Sequence, residues 1–333
     1  MPKDARRTLQ DVADAAGLSL AATSYALRGT RGSAATIERV QALAVELGYR
    51  VDPIARALAS GRTGTVGVSG SLRDLWQQDL SVMLTRALRA TDRDATIADA
   101  DADPQVERRV VERFLAQRVD GVLASPVDPT ADYWRLLGPG TAVVSLGDAL
   151  TSRPGSGAVL FDNRHGVATV LEHLRGLGHR RVALLTASLS STPGRPAERA
   201  AVELAAPLGV ELLVVPAPAS PAGAAQTAAG VLTRSDRPSA VFCLSDSLAF
   251  GVYAAAADLG LRIPDDVSVV GFDDHQLAGL LAPGLTTMAW DEDAIVAAAL
   301  AQLQALDEAG DAPEPVVFRP ELVVRASTRA SAG

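Results

Sequence analysis

The chain holds four histidines, one cysteine and a single lysine, Lys3, so few residues are available for covalent or metal chemistry. His165, His173, His179 and His275 show no zinc-ligand spacing with a cysteine or carboxylate, and no metal centre is expected. No Gly-x-x-x-x-Gly-Lys-Ser/Thr stretch occurs, which excludes a P-loop, and no Gly-x-Ser-x-Gly elbow is present. Gly61, Gly64 and Gly67 recur every third residue, but Gly64 does not open a helix after a strand, as a dinucleotide site requires. Cys243 sits in the apolar run Ala240-Val241-Phe242-Cys243-Leu244, where a buried, inert thiol is expected. No catalytic constellation is left. The chain reads as a binding protein without a cofactor, not as an enzyme.

The elements that must carry that binding belong to more than one domain, because 333 residues exceed a typical single core. With 48% hydrophobic and 21% charged residues, the chain is globular. A lone cysteine forms no intramolecular disulfide, no run of about 18 apolar residues exists, and no apolar segment follows the charged start. A cytoplasmic protein with no membrane association is expected. The net charge of −8 is unevenly spread. Residues 1–63 carry nine basic and six acidic side chains, a net of +3, which leaves −11 for the remainder. A basic head on an acidic body suits a protein that touches phosphate with one end.

In the head, Thr8-Leu9-Gln10-Asp11 starts a helix, with the Thr8 hydroxyl as cap and Asp11 in the positive first turn. Leu9, Val12, Ala13 and Ala16 share a face, and Gly17 breaks it. Ser19 caps a second helix, 20–27, and a third is expected over 34–47 with Gly48 beyond it. Two short helices joined by a tight glycine turn and braced by a third describe a helix-turn-helix, a pattern that a plain three-helix bundle shares. The second helix starts slim, through Ser19, Ala21, Ala22, Thr23 and Ser24, as entry into a major groove requires. Asp52 and Pro53 then open a segment of about two turns, too short to be a stable helix in isolation.

From Thr65 short apolar strands alternate with helices. Strands are expected at 65–68, 94–98, 121–124, 141–146, 158–161, 181–185, 211–215, 240–244 and 267–272. Helices are expected at 80–91, 104–117, 166–177, 222–234 and 248–259. Such alternation implies parallel sheets covered on both faces, and the strand count implies two doubly wound lobes. Ligands in such folds bind at the carboxyl ends of the strands, here the cleft between lobes.

The run Thr8-Leu9-Gln10-Asp11-Val12-Ala13-Asp14-Ala15-Ala16-Gly17-Leu18-Ser19, with Glu46-Leu47-Gly48-Tyr49-Arg50, resembles the start of the lactose-repressor/galactose-repressor (LacI/GalR) family. In the large domain Asp162-Asn163, Leu177-Gly178-His179-Arg180, Ile263-Pro264-Asp265-Asp266-Val267 through Gly271-Phe272-Asp273-Asp274, and Pro320-Glu321-Leu322 resemble it too. The resemblance spans residues 8 to about 328. It implies an all-α helix-turn-helix domain at 1–50, a hinge at 51–63 and an α/β, periplasmic-binding-protein-like effector domain at 64–333. One lobe comprises about 64–162 and 292–320, the other about 163–291 and 321–330.

By position the resemblance assigns DNA contact to Thr8, Ser19, Leu20, Ala21, Thr23, Ser24, Tyr25 and Arg28. Leu20 and Ala21 can offer only apolar contacts, such as to thymine methyls. Paired hinge helices, recognised by Ala55-Arg56-Ala57-Leu58, would enter the minor groove, with Arg56 alongside and Leu58 as the wedge. The chain departs from the family at Ala22-Thr23-Ser24, where Thr-Val-Ser is usual, at Arg28 for Asn, at Ile37 for Arg, and at Val51-Asp52 for Pro-Asn. The effector contacts implied are Asp162, Asp246 and Asp273, each just past a strand, with one arginine of the 195–199 stretch, Arg195 favoured over Arg199, and with Trp76, the nearest aromatic in a loop that lacks the family's Asn-Pro-Phe-Phe. Trp76 equally suits packing between lobes, and Asp246 equally suits capping the next helix. The implied partners are a near-palindromic double-stranded operator, a small effector such as a sugar, and a second copy of the chain, with a tetramer open. A free-standing solute-binding protein would share the lobes but not the head, and an α/β enzyme would need the catalytic cluster that is missing.

Overall fold

The computed structural model describes residues 7–49, 61–187, 196–218, 220–310 and 312–331, which fall into two compact units divided after Thr63. The first holds helices α1 (Leu9–Ala16), α2 (Leu20–Leu27) and α3 (Ala34–Glu46). Thr8 and Asp11 cap α1 reciprocally. The Thr8 hydroxyl accepts from the Asp11 N–H at 3.3 Å, and the Asp11 carboxylate accepts from the Thr8 N–H at 2.7 Å. Gly17 turns the chain at φ 65, a left-handed conformation that costs any residue with a Cβ. Ser19 caps α2 by accepting from the Ala22 N–H at 3.2 Å. Val12, Ala16, Ala26, Val40 and Ala44 meet in one small core. The expected hinge residues Arg56 and Leu58 lie outside the described residues.

The second unit alternates as its pattern requires. Strands β1 (Thr65–Gly70), β2 (Asp94–Asp99), β3 (Gly121–Ala124), β4 (Ala142–Gly147) and β5 (Gly157–Phe161) are interleaved with α4 (Leu75–Ala90) and α5 (Pro104–Gln117). Next come α6 (Asn163–Gly176), β6 (Arg181–Ala187), α7 (Pro196–Ala205), β7 (Glu211–Ala217), α8 (Pro221–Leu232), β8 (Ala240–Cys243), α9 (Asp246–Asp258) and β9 (Ser268–Val270). The chain ends through β10 (Thr287–Ala289), α10 (Glu292–Ala309), β11 (Val316–Phe318) and β12 (Glu321–Val323). One sheet has the order β11-β5-β4-β3-β1-β2 and the other β7-β6-β8-β9, both wholly parallel; β10 and β12 form a short antiparallel pair. The chain therefore leaves the first sheet after β5, returns through α10 to β11, and leaves again for β12. Strand order reverses at β1 and at β6, where doubly wound sheets open a crevice.

Three differences from the sequence pattern stand out. Helix α4 begins at Leu75, not near 80, because the Asp74 carboxylate caps it by accepting from the Gln77 N–H at 3.1 Å. Trp76 thus lies in a helical first turn rather than a loop. Helix α10 was not among the expected helices, although Ile295, Val296, Ala299, Leu303 and Leu306 repeat at helical spacing behind the Asp291 cap. Strands β10 to β12 are three residues each, too short to leave a period.

A buried carboxylate braces one wall of the first lobe. Glu107 on α5 is fully buried, and its oxygens accept from the Val127 N–H at 2.7 Å, the Asp128 N–H at 3.0 Å and the Tyr133 hydroxyl. Burial pushes its pKa from 4.5 up to about 7, against the pull of these donors. The folded state therefore binds this proton more tightly than the unfolded chain does. The resulting stability is present at pH below about 4.5 and is lost as pH rises through about 7. Urea unfolding from pH 5 to 8 should show wild type losing on the order of 2 kcal/mol more than Glu107→Gln across that window. Parallel pH profiles for the two proteins would contradict this assignment.

Candidate functional site

In the head, Ser19, Leu20, Ala21, Tyr25 and Arg28 are exposed on or beside α2, and Thr8 is exposed at the start of α1. Ser24 is half-buried. Thr23 departs from expectation: it is fully buried against the core, so its hydroxyl is not presented to a groove. Its place three residues before Ala26 puts it on the inner face of α2. Arg28 is partly committed as well, with its Nε donating to the Ser24 carbonyl at 3.1 Å and Nη2 to the Ser24 hydroxyl at 3.3 Å. The Arg28 and Arg31 guanidinium carbons lie 5.2 and 5.5 Å from the Tyr25 ring centroid. This cation–π arrangement holds the exposed ring in a positive setting. Nothing in the sequence marks Arg31, since an arginine in a turn has no signature of its own.

In the second unit a cavity of about 300 Å³ opens between the lobes at the carboxyl ends of β1, β3, β4, β6 and β8. The first lobe supplies Asp74, Trp76, Ser125, Asp148 and Phe161, and the second supplies Thr186, Glu198, Ser245, Ser247 and Asp273. Trp290, from the crossover after β10, joins them. Trp76 meets Phe161 edge-on with ring centroids 5.7 Å apart, and Phe161 and Trp290 lie 4.9 Å apart. Trp76 therefore both packs between elements and faces the cavity.

Of the expected carboxylates, the fold brings only Asp273 to the cavity. It follows β9 with φ 113, a strained value for a residue with a Cβ, and is held by its N–H donating to the Met288 carbonyl at 2.7 Å. The Trp290 indole N–H donates to Asp273 Oδ1 at 3.3 Å. Burial, with the neighbouring Asp74 and Asp246 charges, pushes the Asp273 pKa well above the usual carboxylate range. Asp74 and Asp148, which no motif singles out, also line the cavity and are raised by burial. Their signal was available only in part. Asp148 follows a strand, as Asp162, Asp246 and Asp273 do, and Asp74 precedes a helix that the apolar spacing alone would start near residue 80.

Asp246 does not face the cavity. It is 1% exposed; Oδ1 accepts from the Thr287 hydroxyl at 2.6 Å and Oδ2 from the His275 N–H at 2.8 Å. Burial raises its pKa to about 7. The helix cap is its neighbour Ser245, whose hydroxyl accepts from the Leu248 N–H at 3.4 Å. The carboxylate joins the start of α9 to the 271–275 bend and β10, a structural task. Asp162 does not line this cavity either, although its neighbours Phe161 and Asn163 do. It caps α6 through the His165 N–H at 3.0 Å and accepts from Arg319 Nε at 3.1 Å, tying two interlobe crossovers together. Arg195 lies outside the described residues.

A two-lobed parallel-sheet domain with a cavity between its lobes defines a ligand-binding domain of the periplasmic-binding-protein type, and the family model described as a periplasmic binding protein-like domain matches residues 171–328. The full chain is similar to the HTH-type transcriptional regulator reg1 of Streptomyces lividans, at 33% identity over 98% of this chain and 97% of that protein. It is equally similar to the regulator MalR of Streptomyces coelicolor, at 33% identity over 98% and 97%. The ribose operon repressor of Escherichia coli matches at 28% identity over 86% and 88%. Among solved structures, the Lac repressor dimer bound to operator and the anti-inducer ONPF superposes with a TM-score of 0.84, at 24% identity over 98% of this chain and 100% of that one. A regulator from Arthrobacter in complex with lactose superposes with a TM-score of 0.71, at 23% identity over 80% and 99%. The chain belongs to the LacI/GalR family of transcriptional regulators. The three helices of the first unit form the helix-turn-helix head of that fold. No helix among the described residues is long and apolar enough to cross a membrane.

Proposed function

We propose that this protein is a cytoplasmic repressor, without catalytic activity, whose homodimer binds a near-palindromic operator and is controlled by a small polar ligand held between the lobes. The observation that carries this reading is the cavity at the strand ends, with aromatic walls and partly buried carboxylates. Carboxylates accept from ligand hydroxyls or N–H groups, and the rings of Trp76, Phe161 and Trp290 offer apolar faces. A sugar fits both features. The ribose operon repressor and the lactose-bound regulator among its relatives support that choice. Asp273 and Trp76 are the ligand contacts we favour, with Asp74 and Asp148 beside them. On the DNA side we assign base contact to Leu20, Ala21 and Tyr25, with Thr8, Ser19, Ser24 and Arg28 near phosphate. A two-fold protein matches a two-fold site, and ligand binding changes operator affinity by a coupling free energy of about 1–3 kcal/mol.

A gel shift of the purified protein on DNA from upstream of its own gene, with and without a panel of sugars, tests the reading. A specific shift altered by one sugar is the expected result; the absence of any specific shift overturns it. With that sugar in hand, Asp273→Ala should lower the sugar's affinity at least tenfold, a loss of about 1.4 kcal/mol, with little change in DNA affinity. Calorimetry showing unaltered sugar binding would remove Asp273 from the site.

A further inference from the structure

Beside the cavity, polar contacts among the described residues join the lobes. The Leu75 N–H donates to the Ser247 hydroxyl at 3.1 Å. His275 Nε2 lies 3.3 Å from Asp79 Oδ2, and Gln276 Nε2 donates to the same oxygen at 3.3 Å. Leu75 and Asp79 belong to α4 of the first lobe, whereas Ser247, His275 and Gln276 belong to the second. His275 has no slack. It is 7% exposed, its N–H is held by Asp246 at 2.8 Å, and its Nδ1 accepts from the Leu277 N–H at 3.2 Å. With Nδ1 serving as acceptor, the ring proton resides on Nε2 and points at Asp79. Phe250 packs edge-on against the ring, 6.0 Å between centroids.

The geometry points to a latch: Asp79, His275 and Gln276 are positioning residues that pin the two lobes in the observed arrangement, and the bend carrying Asp273 is the element that works it. His275 is two residues beyond Asp273 on one strained bend, and Asp79 is three residues beyond Trp76 on one helix. Both halves of the latch therefore sit on the backbone segments that carry cavity-facing side chains. A ligand that shifts Asp273 or Trp76 moves His275 against Asp79, and either the contact survives or the lobes are freed to turn. Asp246 belongs to the same device, since its carboxylate fixes the His275 backbone from behind. The role of the bend rests on the cavity being the ligand site; the pinning of the lobes does not.

The test uses the full chain without ligand or DNA, so that its failure is separate from failure of the proposed function. Backbone hydrogen exchange is measured over residues 75–80 and 274–278 in wild type, Asp79→Ala, His275→Ala and the double variant. Asp79 is half-exposed on a helix, so Asp79→Ala keeps the fold even if His275→Ala does not. Asp79→Ala should raise exchange about tenfold in the 274–278 segment of the opposite lobe, with melting temperature nearly unchanged. Where His275→Ala folds, the double variant should exchange no faster than the faster single variant. Unchanged exchange across the cleft in Asp79→Ala would overturn the latch, as would additive effects of the two substitutions.

Discussion

Replacing Gly271 by alanine should destabilise the protein by about 3 kcal/mol, as for a side chain forced into a filled core. A Cβ at this position would lie 2.0 Å from Asp246 Oδ1, 2.9 Å from Leu285 Cδ2 and 3.1 Å from Thr287 Oγ1. The carboxylate cannot yield, because Thr287 and the His275 N–H hold both its oxygens. Backbone movement is the remaining relief, and the neighbouring backbone is committed: the Gly271 N–H donates to the Thr286 carbonyl at 2.9 Å and the Asp246 N–H to the Phe272 carbonyl at 2.7 Å. The control is Gly230→Ala on α8, where a Cβ meets nothing within 4 Å. That change should stabilise by about 0.5–1 kcal/mol through helix propensity. Urea midpoints at constant slope measure both. A Gly271→Ala protein as stable as wild type would show that the Asp246 network gives way easily. The latch in front of it would then lose its backing.

Tyr25→Ala should weaken operator binding tenfold to a hundredfold, about 1–3 kcal/mol, the range for losing one base-reading side chain. Tyr25 is 38% exposed on α2 beneath two guanidinium groups, so the change removes a presented surface and leaves the head core intact. Tyr25→Phe separates the parts. It keeps the ring and the flanking arginines, and loses only the hydroxyl. Titration against operator and against unrelated DNA at fixed salt distinguishes reading from mere attraction, since a phosphate contact weakens both equally. Equal loss on both DNAs would place Tyr25 on the backbone, and no loss on either would take it off the interface.

Much of the head was legible because its signals are local. Thr8, Gly17 and Ser19 act on backbone groups within four residues of themselves, so their caps and turn follow from residue type and spacing. The alternation after Thr65 was equally readable, since the central strands are buried on both faces and mostly apolar. The lining of the cavity was readable only in part. Asp273 and Trp76 reach the cavity, whereas Asp246, also just past a strand, is buried by partners 29 and 41 residues away. Nothing within a few residues of Asp246 announces Thr287, and a three-residue strand such as β10 has no period to read. Asp74 and Asp148 become neighbours of Asp273 only when two sheets face one another across crossovers. Residue type and spacing, acting through short-range hydrogen bonds and burial of apolar faces, determined most helices, most strands and the two-lobed class. Which carboxylates face the cleft, which one is sealed behind it, and which residues join the lobes were decided by tertiary packing, because burial and pairing at those positions depend on segments far apart in the chain.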